Sequence, residues 1–167
     1  MEIQGELITL RTAKLEAQKL IYEMGLSTDY MRKCFEEGYP EGLETFKKSY
    51  TERYFDNREP YVCGGVMICL DNIPVGFISY GQISDPSYKE WVYHFGTMEL
   101  DIWMDGEKNC GKGYGVDAIT TLSDYLHEKY NIDLFMICPA RINPRAIHSY
   151  EKAGFNEVSH DEKHKVL

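Results

Sequence analysis

Residues 110–122 read CGKGYGVDAITTL. Glycines stand at 111, 113 and 115, and an apolar stripe of helical spacing follows at once. Ala118, Ile119, Leu122, Tyr125, Leu126 and Tyr130 share one face, with Asp117, Asp124 and Glu128 away from it. The spacing predicts a helix over 114–130. The first turn of such a helix has N–H groups without intrahelical partners and the positive end of the peptide dipole. Bare backbone there lets an anion approach without meeting Cβ atoms, so Gly111, Gly113 and Gly115 fit a phosphate cradle. A loop whose glycines merely satisfy a turn fits the same letters.

Patterns that are absent narrow the phosphate reading. The loop lacks GxxxxGK[ST], so no Ser or Thr is placed for magnesium, which argues against nucleoside triphosphate hydrolysis. GKGYG is not the GxGxxG of a dinucleotide fold, and Asp133, twenty residues beyond Gly113, precedes a predicted strand instead of ending one. Other pyrophosphates remain.

Upstream, WVYHFGTMELDIWM (91–104) reads as a strand. Alternation puts Met98, Leu100, Ile102 and Met104 on one face and Thr97, Glu99, Asp101 and Trp103 on the other. Glu99 and Asp101 then stand about 7 Å apart at roughly 3.3 Å per residue. Mutual repulsion and desolvation would both raise their pKa values, making one of them a usable base. A solvated strand face shows the same alternation. Downstream, strand LFMIC (134–138) leads into NPRAIHSYEKAGF (143–155). Asn143 suits the N-cap of a helix over 143–153, Pro144 its first position and Gly154 its end. Ala146, Ile147, Tyr150 and Ala153 form an inward stripe, in which Tyr150 also reads as an ordinary core aromatic.

The N-terminal half supplies the remaining layers. GELITLRTA reads as a first strand and 13–24 as a helix through Leu15, Leu20, Ile21 and Met24. Pro40 and Gly42 break residues 27–56 into two further helices that could cover a cleft. YVCGGVMICL and IPVGFISYGQI form a hairpin turning at Asp71 and Asn72, which makes WVYHFGTMELDIWM the fourth predicted strand; a short strand is expected at Phe155. Strands first and an αβα ending second predict a mixed, mostly antiparallel sheet flanked by helices, one domain over 1–167.

Composition bounds the partners. At 43% hydrophobic and 27% charged the chain is an ordinary globular one, with no apolar run of membrane-spanning length. The net charge of −9 argues against nucleic acid and favours a cationic partner. The start, MEIQGELITL, has neither a basic region nor an apolar block, and the five cysteines form no CxxC pair, so a cytoplasmic protein with reduced thiols is expected. His160 and His164 have helical ligand spacing but sit in a charged tail without a third ligand, so no metal site is expected.

The order CGKGYG, helix, LFMIC, NPRAIHSYEKAGF resembles the acetyl-CoA-binding half of the GNAT superfamily of N-acetyltransferases, above all the aminoglycoside 6'-N-acetyltransferases, most strongly over 98–155. In that subgroup an Asp lies ten residues ahead of the first position of the glycine run, as Asp101 lies ahead of Gly111. The resemblance implies that the backbone of Cys110, Gly111, Lys112, Gly113, Tyr114 and Gly115 holds the CoA pyrophosphate. It further implies that Asp101 is the general base or orients the amine, that Tyr150 protonates the departing thiolate, and that Asn143 contacts the pantetheine. Transfer to an amine needs these roles because an ammonium cannot attack a thioester until it loses a proton, and the oxyanion needs donors such as the backbone near Ile102 and Trp103. An Asp with the ordinary pKa of roughly 3.9 is a poor base, so placing the amine and relaying its proton through water is an equal alternative.

The implied acceptor is a small cationic amine such as an aminoglycoside, drawn by Asp85, Glu90, Glu99, Asp101 and Asp105. A protein N-terminus, a polyamine, a siderophore hydroxylamine, or a non-catalytic acyl-CoA-binding role are the alternatives. Two departures stand out. Cys110 occupies a position where the family commonly has Gln or Arg, and only twelve residues follow Phe155 where relatives continue into a full strand. That strand is short, missing or supplied by a second copy, so a homodimer is one arrangement the sequence allows.

Overall fold

The computed structural model describes residues 1–34, 40–83 and 97–167, with backbone alone at 33–34. Its centre is the expected hairpin, β3 (Cys63–Leu70) and β4 (Ile73–Gln82). Asp71 and Asn72 both take positive φ, 47° and 69°, the left-handed pair that a two-residue hairpin turn demands. Both strands are apolar on both faces, as strands covered on two sides must be: Val66 and Ile68 enter one core cluster, Met67 and Cys69 the other.

Around this hairpin the sheet runs in the order β1-β2-β3-β4-β5-β6. The predicted first strand, GELITLRTA, forms β2 (Thr9–Thr12); an unforeseen strand, β1 (Glu2–Gln4), precedes it, and the two are joined by a turn in which Gly5 N–H donates to the Ile8 carbonyl at 2.8 Å. The predicted fourth strand is therefore fifth in the chain, β5 (Thr97–Met104). All pairings are antiparallel except β5 with β6 (Leu134–Met136), which is parallel. Residues 84–96, including Asp85, Glu90 and the first part of the predicted strand, lie outside the described residues.

Helices cover both faces. On one side α4 (Tyr114–Tyr130), with the predicted bounds, buries Ala118, Ile119, Leu122 and Leu126 beside Met98, Leu100 and Tyr150. On the other, α1 (Gln18–Gly25) and α3 (Leu43–Ser49) bury Ile21, Met24 and Phe46 against Phe77 and Trp103. Leu20, expected in the apolar stripe of the first helix, points outward at 43% exposure. α2 (Asp29–Cys34) lies between α1 and α3, so Pro40 and Gly42 do separate two helices. Among the described residues no helix is long and apolar enough to cross a membrane.

At the C-terminal end α5 (Pro144–Lys152) stops as expected at Gly154, whose φ is 95°. Gly154 N–H donates to Glu151 and Phe155 N–H to Tyr150, the paired bonds of a glycine-terminated helix. Phe155 thus uses its N–H to close α5, and the strand expected there is absent. Strands form later, β7 (Ser159–His160) and β8 (Lys165–Val166), and residues 163–167 run antiparallel beside 137–141. The final strand is short and comes from this chain.

One contact escaped the sequence reading. Asp117 accepts the N–H groups of Glu6, Leu7 and Ile8 at 3.1, 2.7 and 3.0 Å, tying the β1–β2 turn to the start of α4. Gly5 permits the approach, since a Cβ there would stand 2.7 Å from Asp117 Oδ2. Because two of these bonds are solvent-exposed and the third, to Ile8, is part-buried, Asp117→Ala is expected to cost on the order of 2 kcal/mol, read as a lower urea midpoint. An unchanged midpoint would show that the latch contributes nothing.

Candidate active site

β5 and β6 part after three residue pairs, from Thr97–Leu134 to Glu99–Met136. Beyond that point each strand bonds on its outer side. Ile137 exchanges both backbone bonds with Leu167, at 2.8 and 2.9 Å, the Pro139 carbonyl accepts from Lys165, and Arg141 N–H donates to Lys163. Alternation then turns the backbone of Cys138 toward β5, while the Ala140 carbonyl accepts Asn143 N–H at 2.9 Å in the turn into α5. On β5, Asp105 N–H bonds the Val75 carbonyl at 2.8 Å, so in this register Trp103 and Asp101 also bond across to β4. Ile102 and Met104 therefore direct their backbone groups toward Cys138. Two strand edges face one another across a slot into which an extended amide chain fits as an inserted strand.

The slot is part of a cleft of about 830 Å³ that runs from the glycine loop to the helices on the other face of the sheet. At the loop end Gly111 and Gly113 take φ of 70° and 87°, conformations that disfavour any other residue. Gly113 is the N-cap of α4 and supplies no side-chain cap, so the N–H groups of the first turn remain available to an anion. A Cβ on Gly111 would meet nothing within 4 Å and one on Gly115 only Ile102 Cδ1 at 3.8 Å, so the fold does not exclude side chains for lack of room. The open space above this backbone fits a diphosphate. Cys110, Gly111, Gly113 and Gly115 line the cleft, whereas Lys112 is exposed, its Nζ 6.0 Å from the Tyr114 ring centroid, and neither it nor Tyr114 is in the lining. The Cys110 thiol bonds the Gly106 carbonyl at 3.6 Å and burial pushes its pKa up, so it adds no charge to the loop.

A cation in the cleft wall is one the sequence reading passed over. Arg145, on the first turn of α5, pairs with Glu107 at 2.8 Å, lies 4.8 Å over the Tyr30 ring and lines the cleft. Its place directly after Asn143 and Pro144 was the available signal. Asn143 caps α5 by accepting from Ala146 N–H at 3.1 Å and also accepts the Tyr30 hydroxyl at 2.8 Å. Its amide nitrogen is the group it can offer a ligand. Tyr150 is 8% exposed, packs in the core and lines the cleft, so its two readings coexist.

At the opposite end stands Asp101. The residue is exposed to the open cleft, yet desolvation by the crowded walls around it still raises its carboxyl above the usual range, partly offset by a hydrogen bond from Tyr50 at 3.4 Å. Desolvation, not the expected repulsion from Glu99, is the principal cause. Glu99 shares the strand face but is not in the cleft lining; its charge and that of Asp101 reach Tyr54, whose hydroxyl is raised first by burial and then by neighbouring negative charge. Trp103 contributes differently from expectation: its indole is buried and donates to the Ile21 carbonyl at 3.2 Å, and its N–H faces β4. Tyr30, Met31, Tyr50 and Tyr54 complete this end. Among the described residues no group of three His, Cys, Asp or Glu side chains could hold a metal ion.

A sheet split beside a glycine-entered helix defines an acetyltransferase of the GNAT type, and residues 8–156 match the acetyltransferase (GNAT) domain family, to which this chain belongs. Among curated proteins it is similar to the spermidine N(1)-acetyltransferase of Vibrio cholerae serotype O1, 23% identical over 153 residues, covering 92% of this chain and 81% of that one. Among solved structures it resembles AAC(6')-Ib in complex with an aminoglycoside and acetyl-CoA, with a TM-score of 0.76, 22% identity, and coverage of 96% of this chain and 91% of that one. It also resembles the V. cholerae spermidine N-acetyltransferase bound to CoA and spermine, at 0.71 and 20%, covering 97% and 94%.

Gly115→Val tests the cradle. Gly115 does not take a positive φ and the nearest contact of a Cβ there is an ordinary one, so the fold should persist. The branched side chain should crowd the first-turn N–H groups and weaken CoA binding by about tenfold or more in calorimetry. Wild-type affinity would remove the cradle.

Proposed function

We propose that the protein transfers the acetyl group of acetyl-CoA directly to the primary amine of a small cationic acceptor, most closely the 6'-amine of an aminoglycoside. The observation that carries this reading is the placement of Asp101, a desolvated carboxylate at one end of the cleft whose other end is the glycine loop. The acetyl thioester supplies the activated acyl group. The first-turn N–H groups of α4 hold the diphosphate, with Arg145 in the same cleft wall, and the backbone at Ile102, Met104 and Cys138 holds the amide chain.

Asp101 receives the ammonium by charge and takes or relays its proton, for which a raised pKa is an advantage. The Ile102 N–H, aimed into the slot, is the backbone donor for a developing oxyanion. Tyr150, at the cleft wall on α5, is the proton donor to the leaving thiolate, and Glu99 adds negative potential for a cation. A linear polyamine is the second reading, favoured by the similarity to a spermidine acetyltransferase.

Asp101→Asn should lower turnover roughly a hundredfold with CoA affinity unchanged. The same change should stabilise the fold. A carboxyl whose folded pKa is raised binds its proton more tightly in the native state. It therefore opposes folding once the pH exceeds its folded pKa, and this cost vanishes below the unfolded value near 4. The urea midpoint of Asp101→Asn at pH 7 should exceed that of the wild type, and the gap should close on acidification. Thiol release from acetyl-CoA with kanamycin, spermidine and a peptide amine then sorts the acceptors; no release with any cationic amine, from protein that binds CoA, would leave a binding module.

A further inference from the structure

We propose that Tyr50 is a positioning residue for Asp101: its hydroxyl keeps the carboxylate ionised and aimed at the incoming ammonium. The inference rests on the role of Asp101 in the proposed function. Tyr50 follows α3 directly, and its ring is held on four sides. It stacks on Phe46 at 4.7 Å and 23°, meets Trp103 and Phe77 edge-on at 5.7 and 6.2 Å, and tilts against Tyr54 at 5.4 Å. Its backbone is held as well, the N–H donating to Phe46 at 2.8 Å and the carbonyl accepting from Gln18 at 3.0 Å. A ring confined this way has little freedom beyond rotation of its hydroxyl, and that hydroxyl reaches Asp101 Oδ2 at 3.4 Å.

Asp101 itself is fixed by β5, where it pairs with Ser79 of β4, so what remains to be set is the direction and charge of its carboxylate. The surroundings act in opposition: desolvation favours the neutral acid, and the Tyr50 hydrogen bond favours the anion. Among the described residues, the titratable groups facing this carboxylate are Tyr50, Tyr54 from the turn after α3, and Glu99 from β5. β4 presents Ser79, and α1 presents the apolar Ile21 and Met24 to the cluster behind. Tyr50 is thus the neighbour that opposes protonation. At 3.4 Å the bond is long, and expulsion of water by the acceptor is the event that tightens it.

Tyr50→Phe keeps the stacked ring and removes only the hydroxyl. The pH profile of kcat/KM is to be measured for wild type, Tyr50→Phe and Asp101→Asn, with an amine that the wild type acetylates. The thermal midpoint and CoA affinity of Tyr50→Phe should match the wild type, and its acid limb should move to higher pH. The deficit should be about tenfold near pH 6 and smaller above pH 8. A profile identical to wild type, or one lowered equally at every pH, overturns the inference. Asp101→Asn with wild-type turnover removes Asp101 from the mechanism instead. Carbon NMR titration of the Asp101 carboxyl reads the same hydrogen bond without turnover: its midpoint should rise in Tyr50→Phe, and an unmoved midpoint rejects the hold of Tyr50 even in an inactive protein.

Discussion

Everything at the site depends on β5 and β6 being partners for three residues and then ceasing to be. A continuous parallel pair would satisfy its own backbone and leave no slot. Beyond the break, the chain's last segment bonds the outer edge of residues 137–141, at Ile137, Pro139 and Arg141, and the inner edge faces β5 across the gap. Ile102, Met104 and Cys138 line the cleft along that gap.

Each end of the cleft carries its own local cost. Gly111 and Gly113 hold left-handed backbone, which frees the α4 entrance from side chains at the expense of chain entropy. Asp101 keeps a carboxylate where desolvation disfavours its charge. Both features cost the fold something, and on the proposed function both serve a charged ligand, the combination expected of a functional site. The Asp117 latch works in the other direction. It secures the β1–β2 turn against α4, where Leu7 Cδ1 would stand 3.3 Å from a Cβ on Gly113, and so buttresses the loop from outside the cleft.

What could be read from the letters follows from how local each determinant is. The hairpin turn at Asp71 and Asn72, the span of α4 and both ends of α5 are decided by neighbours in sequence, and each was legible. The facing of Asp101 and Trp103 follows from strand alternation alone. The extra strand β1 and the turn joining it to β2 were not legible, because that turn is held by Asp117 more than a hundred residues away. Phe155 misled because an aromatic after a helix suits a strand, whereas its N–H closes α5. Tyr30, Tyr50 and Arg145 joined the site only through tertiary contacts, between α2 and α5 and between α3 and β5.

The two ends of the cleft are built from different materials. The donor end is mostly backbone: a helix entrance, glycine conformations and strand edges, none of which needs a particular side chain beyond glycine and the capping Asn143. The fold that carries it survives extensive substitution, as a TM-score of 0.76 at 22% identity shows. The acceptor end is made of side chains carried by α2, α3 and the turn after it, grouped around one strand carboxylate. There a single substitution alters shape, charge and hydrogen bonding together. A family built this way retains its acyl donor while its amine changes, and proteins of this fold accordingly come bound to either an aminoglycoside or a polyamine. On the proposed function, acceptor choice in this chain would then fall to Tyr50 and Tyr54 beside Asp101 rather than to the glycine loop.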